Sequence, residues 1–161
     1  MSLSLRPVSF DDEAFLFQVY ASTRAEEMAV VPWSEEQKQA FVRMQFNAQS
    51  ESYRQQFPGA EYHVILHGGV PAGRLTVERT EARILLIDIA LLPAHRNMGI
   101  GSSLICDLKK EAQETGRPLG IEVENFNPAY RLYERLGFKK IDEAGVYYRM
   151  EWRPSEKATT A

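Results

Sequence analysis

Ile84-Leu85-Leu86-Ile87-Asp88-Ile89-Ala90-Leu91-Leu92, then Pro93, then Arg96-Asn97-Met98-Gly99-Ile100-Gly101: here an apolar run meets a proline and a polar, glycine-bearing turn. The run reads as a strand. The turn opens a helix, because Leu104, Ile105, Leu108 and Ala112 fall on one stripe and Gly116 supplies a stop. Glycines in such a turn admit backbone conformations and ligand approaches that a side chain would block. The first N–H groups of a helix lack internal partners and lie at the positive end of its macrodipole, so the turn favours a phosphate or pyrophosphate. Arg96 adds a candidate forked, charge-assisted contact. A dinucleotide fingerprint requires a third glycine where Leu104 stands, and a triphosphate loop requires Gly-Lys-Ser/Thr; the sequence has neither.

The run from Leu91 to Leu104 resembles the acyl-CoA-binding motif of the GNAT (GCN5-related N-acetyltransferase) superfamily. About 25 residues on, Asn127-Pro128-Ala129-Tyr130-Arg131-Leu132-Tyr133-Glu134-Arg135-Leu136-Gly137-Phe138 resembles that superfamily's second signature, at the expected distance. The likeness extends more weakly over nearly the whole chain. It implies an α/β fold, a central mixed β-sheet flanked by helices, in one domain over residues 1–153. It also implies acetyl-CoA as cofactor, no metal, and transfer of an acetyl group to a primary amine directly within a ternary complex. Transfer of another acyl group, or a non-catalytic acyl-CoA-binding module, is the alternative.

The resemblance also implies residue roles. Two central parallel strands, ending near Leu91 and Val123, would splay apart, and the backbone of Ile89, Ala90, Leu91 and Leu92 would pair with the pantetheine amides like an added strand. Arg96, Asn97, Met98, Gly99, Ile100, Gly101 and Ser102 would cradle the diphosphate, while Asn127, Tyr130 and Tyr133 would meet the cofactor from the second motif. Tyr133 stands where the family places a tyrosine aimed at the CoA sulfur; a phenol of pKa about 10 suits protonation of a leaving thiolate. For the base, some family members place a glutamate where Glu122 stands, and others place one where this chain has Leu85. Asp88 is the next candidate, since a carboxylate in so apolar a strand must be paired or serve a site. Water relay or a free-amine substrate is the remaining option.

Composition bounds the rest. With 161 residues, 44% hydrophobic and 25% charged, the chain reads as one globular domain able to bury a core without staples. A formal charge of −3 gives no global attraction to nucleic acid or an anionic membrane. Cys106 is alone and is expected in the helix core. Met1 is followed by no basic-then-apolar segment, and no run reaches the roughly 18 apolar residues of a membrane span, so a cytoplasmic protein is expected.

The N-terminal half reads as a strand over Leu3–Val8, a helix from Ala14 to Arg24 started by Asp11-Asp12-Glu13, and a second helix opened by the capping box Ser34-Glu35-Glu36-Gln37. Phe41, Met44, Gln45 and Ala48 are expected on its inner face. By resemblance, the loop between these helices helps form the acceptor pocket, and Trp33, Glu26 and Glu27 are candidates to line it; otherwise Trp33 is a core residue and the glutamates are solvated. A hairpin follows, Glu61–Leu66 and Pro71–Glu78 about Gly68-Gly69. His63 and His67 lack a metal-ligand set, and His95 is expected at the surface. After Gly116 come a strand over Pro118–Glu124, a helix from Pro128 with Asn127 as N-cap, and strands at Lys139–Ile141 and Val146–Trp152 about a turn at Glu143-Ala144-Gly145. A disordered tail is expected over 154–161. Neither helical acceptor loop carries a motif that names the amine, and the final strand and first helices are a candidate homodimer surface.

Overall fold

Gly68 and Gly69, at φ 59° and 80°, turn β2 (Ala60–His67) into β3 (Val70–Arg79), since a two-residue hairpin of this hand needs positive φ at both positions. This computed structural model describes residues 2–155, so the expected tail lies outside the described residues from position 156 onward. The other elements are β1 (Leu3–Pro7), α1 (Glu13–Ala29), α2 (Glu35–Gln56), β4 (Ile84–Leu91), α3 (Ile100–Thr115), β5 (Leu119–Glu124), α4 (Ala129–Arg135), β6 (Lys139–Ala144) and β7 (Tyr147–Trp152). The strands form one mixed sheet in the order β1-β2-β3-β4-β5-β7-β6. Two compact units divide the chain, Met1–Thr76 with Asp88–Met98, and Val77–Ile87 with Gly99–Ala161, so that β3 and β4 each run through both.

In the first unit β1 pairs antiparallel with β2, from Leu3 opposite His67 to Pro7 opposite His63. Ser34 caps α2 as its sequence predicts: its hydroxyl accepts from the Gln37 N–H (3.2 Å), and the Gln37 side chain returns to the Ser34 N–H (3.0 Å). The two helices meet at Tyr20, Val42 and Phe46, with Leu16, Phe17 and Met28 packed around them. Phe17 and Tyr20 each lie 5.6 Å from the Phe46 ring. Two expectations change here. α1 continues to Ala29, because Ala25, Glu26, Glu27 and Met28 are good helix formers and Met28 finds the cluster. The inner face of α2 carries Val42 and Phe46, whereas Met44 is 60% exposed and Ala48 is also exposed; packing against Tyr20 selects the stripe one residue round.

In the second unit β4 pairs parallel with β5 over Ile84–Leu86 and Leu119–Ile121. β5 pairs antiparallel with β7, Leu119 opposite Trp152 through Glu124 opposite Tyr147. β6 pairs with β7 across a bulge between Lys140 and Asp142. The stripe Leu104, Ile105, Leu108 and Ala112 is buried, each large member worth roughly 1.5–3 kcal/mol. Gly116, at φ 68°, ends α3 by donating to the Ala112 carbonyl. Cys106 is exposed, contrary to the core position expected from its sequence: it lies about 100° round the helix from Ile105 and faces away from the buried stripe. Among the described residues no helix is long and apolar enough to cross a membrane.

Candidate active site

β4 delivers the chain to the turn that its sequence singles out. The Leu92 N–H donates to the Ala72 carbonyl (2.8 Å), and a single 3-10 turn over Pro93–His95 follows. Asn97 (φ 61°) and Gly99 (φ 78°) then take left-handed backbone, and Gly99 is the N-cap of α3. A Cβ built on Gly99 meets nothing within 4 Å, so what glycine provides there is the backbone conformation, with open space beside it. The first internal bond of α3 runs from the Ser103 N–H to the Gly99 carbonyl (2.9 Å). The N–H groups of Ile100, Gly101 and Ser102 therefore have no partner within the helix, and no acidic residue occupies its first turn. That donor set fits the diphosphate of an acyl-CoA.

Arg96 is engaged within the first unit. Its Nε donates to the Leu91 carbonyl (2.9 Å) and its Nη2 to the Ser22 hydroxyl on α1 (3.2 Å), so the guanidinium splints the turn against the helix. His95, expected at the surface, is half-buried because its Nδ1 lies 3.1 Å from that of His67. Trp33 is 44% exposed and packs edge-on against Phe41 (5.3 Å), while Glu26 and Glu27 are exposed and Glu27 pairs with Arg24.

Asp88 sits on β4 beside Arg74 of β3, its carboxylate in an ion pair with the Arg74 Nε. Their side chains are only 19% and 11% exposed. Burial pushes the Asp88 carboxyl above the usual carboxylate range, and the Arg74 charge draws it partly back. Arg74 also donates to the Gln49 side chain of α2 (3.0 Å) and lies 5.6 Å from the Tyr20 ring. Arg74 was not singled out from sequence, although it is the lone charge in Ala72–Val77 as Asp88 is in β4; the signal was two single charges on neighbouring strands. Just before Arg74, Gly73 lets β3 close on β4, because an added Cβ would collide with the Ala90 carbonyl oxygen and lie 3.0 Å from the Leu91 Cα.

In the second unit the side-chain oxygen of Asn127 accepts from the Ala129 N–H (2.9 Å) in a turn leading into α4; the helix begins at Ala129, one residue later than expected, so Pro128 and not Asn127 is at its N-cap. Tyr133 is buried on α4, its ring 6.0 Å from that of Phe138. Tyr130 stacks edge-on with Tyr148 (5.2 Å). Glu122 is exposed on β5, 3.4 Å from Arg149 on the neighbouring β7. Among the described residues no three His, Cys, Asp or Glu side chains are grouped to hold a metal.

Residues 22–138, more than half of the chain, match the model of the Acetyltransferase (GNAT) family. The chain belongs to the GNAT family. Its fold agrees, as the likeness to solved structures shows: the PaiA N-acetyltransferase from Thermoplasma acidophilum, in complex with coenzyme A, superposes with a TM-score of 0.70 at 20% identity, covering 95% of this chain and 99% of that one. An acetyltransferase from Thermus thermophilus gives 0.67 at 18% identity (95% and 97%). Among curated proteins, the [ribosomal protein bS18]-alanine N-acetyltransferase of Haemophilus influenzae is 38% identical over 64 residues, 39% of this chain and 44% of that protein. This GNAT chain thus matches less than half the length of that relative.

Proposed function

We propose that this GNAT chain is a cytoplasmic, acetyl-CoA-dependent N-acetyltransferase that moves an acetyl group to a primary amine by direct transfer. The observation that carries the reading is the left-handed turn at Asn97–Gly99, which feeds three unpartnered N–H groups at the start of α3. Acetyl-CoA supplies the activated thioester when bound. In the second unit the main-chain donors of Gly99–Ser102 would hold its diphosphate, and Asn127 and Tyr130 are its candidate pantetheine contacts; in the first, the backbone of Ile89–Leu92 is the candidate pantetheine edge. Tyr133 protonates the departing thiolate; its burial on α4 supports the role, since an enclosed phenol is held in one orientation.

Two carboxylates compete to deprotonate the amine. Asp88 is held beside Arg74 with its carboxyl above the usual carboxylate range through burial, whereas Glu122 has the exposure that admits an acceptor. The Haemophilus relative supports a protein N-terminal amine as one acceptor class, beside small amines. The test is thiol release from acetyl-CoA across polyamines, amino acids, aminoglycosides and peptide N-termini. Amine-dependent release supports transfer, and CoA binding with no turnover on any amine would leave only a binding module. Where Asp88 is the base, Asp88→Asn removes the alkaline-rising limb of kcat/KM against pH and Glu122→Gln keeps it.

A further inference from the structure

The first unit has a half-open cavity of about 460 Å³ between the C-terminal half of α2 and strands β2 to β4, with Val8, and Leu16 of α1, at its side. That lies within the roughly 300–1,000 Å³ of small-molecule sites and would hold about fifteen waters at roughly 30 Å³ each. Val8, Leu16 and Phe46 give it an apolar wall, a poor surface for so much water. Its polar wall is Asp88, Arg74, Tyr62 and His63. The Tyr62 hydroxyl and the His63 Nδ1 are both buried and have no hydrogen-bond partner among the described residues. Native proteins rarely leave such atoms unpaired; both residues line the cavity, and as neighbours on β2 they send their side chains to opposite faces, so one of the two atoms aims into it.

The charges narrow the occupant. Arg54, which also lines the cavity, is exposed and paired with Glu51 (3.2 Å), and Asp88 and Arg74 balance one another, so a ligand with a single charge would leave one buried charge uncompensated. A zwitterion adds one charge of each sign and can pair with both. We propose that this cavity binds an α-amino acid with an apolar side chain, its ammonium on Asp88, its carboxylate on Arg74 and the Tyr62 hydroxyl, and its side chain against Phe46 and Leu16. The site shares Asp88 with the transferase reading, but its occupancy requires no CoA and is measured without it; the amino acid is either the acetyl acceptor or an effector.

The experiment is calorimetric titration of L-phenylalanine and L-leucine into the CoA-free protein, with phenethylamine and 3-phenylpropionate as singly charged controls. Saturable binding of at least one amino acid is expected, with both controls weaker by roughly tenfold or more, the loss of one charge-assisted contact. Tyr62→Phe should weaken the amino acid roughly tenfold, and the double variant Arg74→Met/Asp88→Leu should abolish its binding. Adding acetyl-CoA then separates the sources: an acetylated amino acid identifies the acceptor and an unchanged one the effector, and either upholds the site. No heat from either amino acid, controls binding equally well, or variants binding like wild type would overturn it.

Discussion

Asp88→Asn strips the Arg74 guanidinium of its counter-charge while keeping the shape of the strand. With side chains 19% and 11% exposed, the pair is largely desolvated, so breaking it belongs with buried pairs, which cost roughly 3–5 kcal/mol when one partner goes. Arg74 keeps its bond to Gln49 and its place near the Tyr20 ring, which offsets part of that loss. We expect about 3 kcal/mol of destabilisation, a fall in Tm of roughly 6–12 °C for a domain of this size. Arg74→Met/Asp88→Leu removes both charges and should return to within about 1 kcal/mol of wild type, since two apolar residues of similar volume need no desolvated pair. Urea unfolding followed by circular dichroism, on wild type, Asp88→Asn, the singles Arg74→Met and Asp88→Leu, and their double, measures both the loss and the cycle. A loss below about 1 kcal/mol for Asp88→Asn, or a double variant as unstable as the worse single one, would refute the reasoning, because the charges would then be effectively solvated.

Acid sensitivity belongs to Asp12. Its carboxylate accepts two bonds from Arg6 (2.8 Å each) and one from the Ser9 N–H (2.7 Å), which hold it well below the usual carboxylate range. Stability from this pair should be present above about pH 4 and lost as pH falls below it, and Asp12→Asn should flatten that acid limb in thermal melts. Gly73→Ala should cost roughly 1–3 kcal/mol, or about 3–10 °C in Tm, by forcing β3 from the Ala90 carbonyl; an unshifted melt would show that the strands part freely. Tyr133→Phe should lower kcat by roughly 10²–10⁴ with little change in the Kd for CoA; unchanged turnover would remove the phenol as acid.

The cradle was legible because its signals are local. An apolar run, two turn glycines and a helix stripe speak within thirty residues, and Gly68-Gly69, Ser34 and Gly116 announce their turns and caps the same way. What escaped depends on partners distant in sequence. Which side of α2 turns inward was decided by Tyr20 on another helix, and His95 was drawn inward by His67. Cys106 was misplaced for a nearer reason: a cysteine among buried neighbours was read as buried, although helical geometry turns position 106 outward. Arg74 pairs with Asp88, Gln49 accepts from Arg74, and Tyr62 lines the same cavity, from three separate elements, a convergence that periodicity within any one of them does not reveal. Base and acceptor depend on such convergences, and so they were the least readable features.

Coenzyme A titrated calorimetrically into wild type and Gly99→Val bears most directly on the grip by backbone donors at the head of α3. Valine at φ 78° is strained and fills the open side of the turn, so wild type should bind at one site and the variant roughly a hundredfold more weakly, equal to about 2.8 kcal/mol. Equal affinity in both folded proteins, or no heat from the wild type, would show that the cofactor is held elsewhere or not at all.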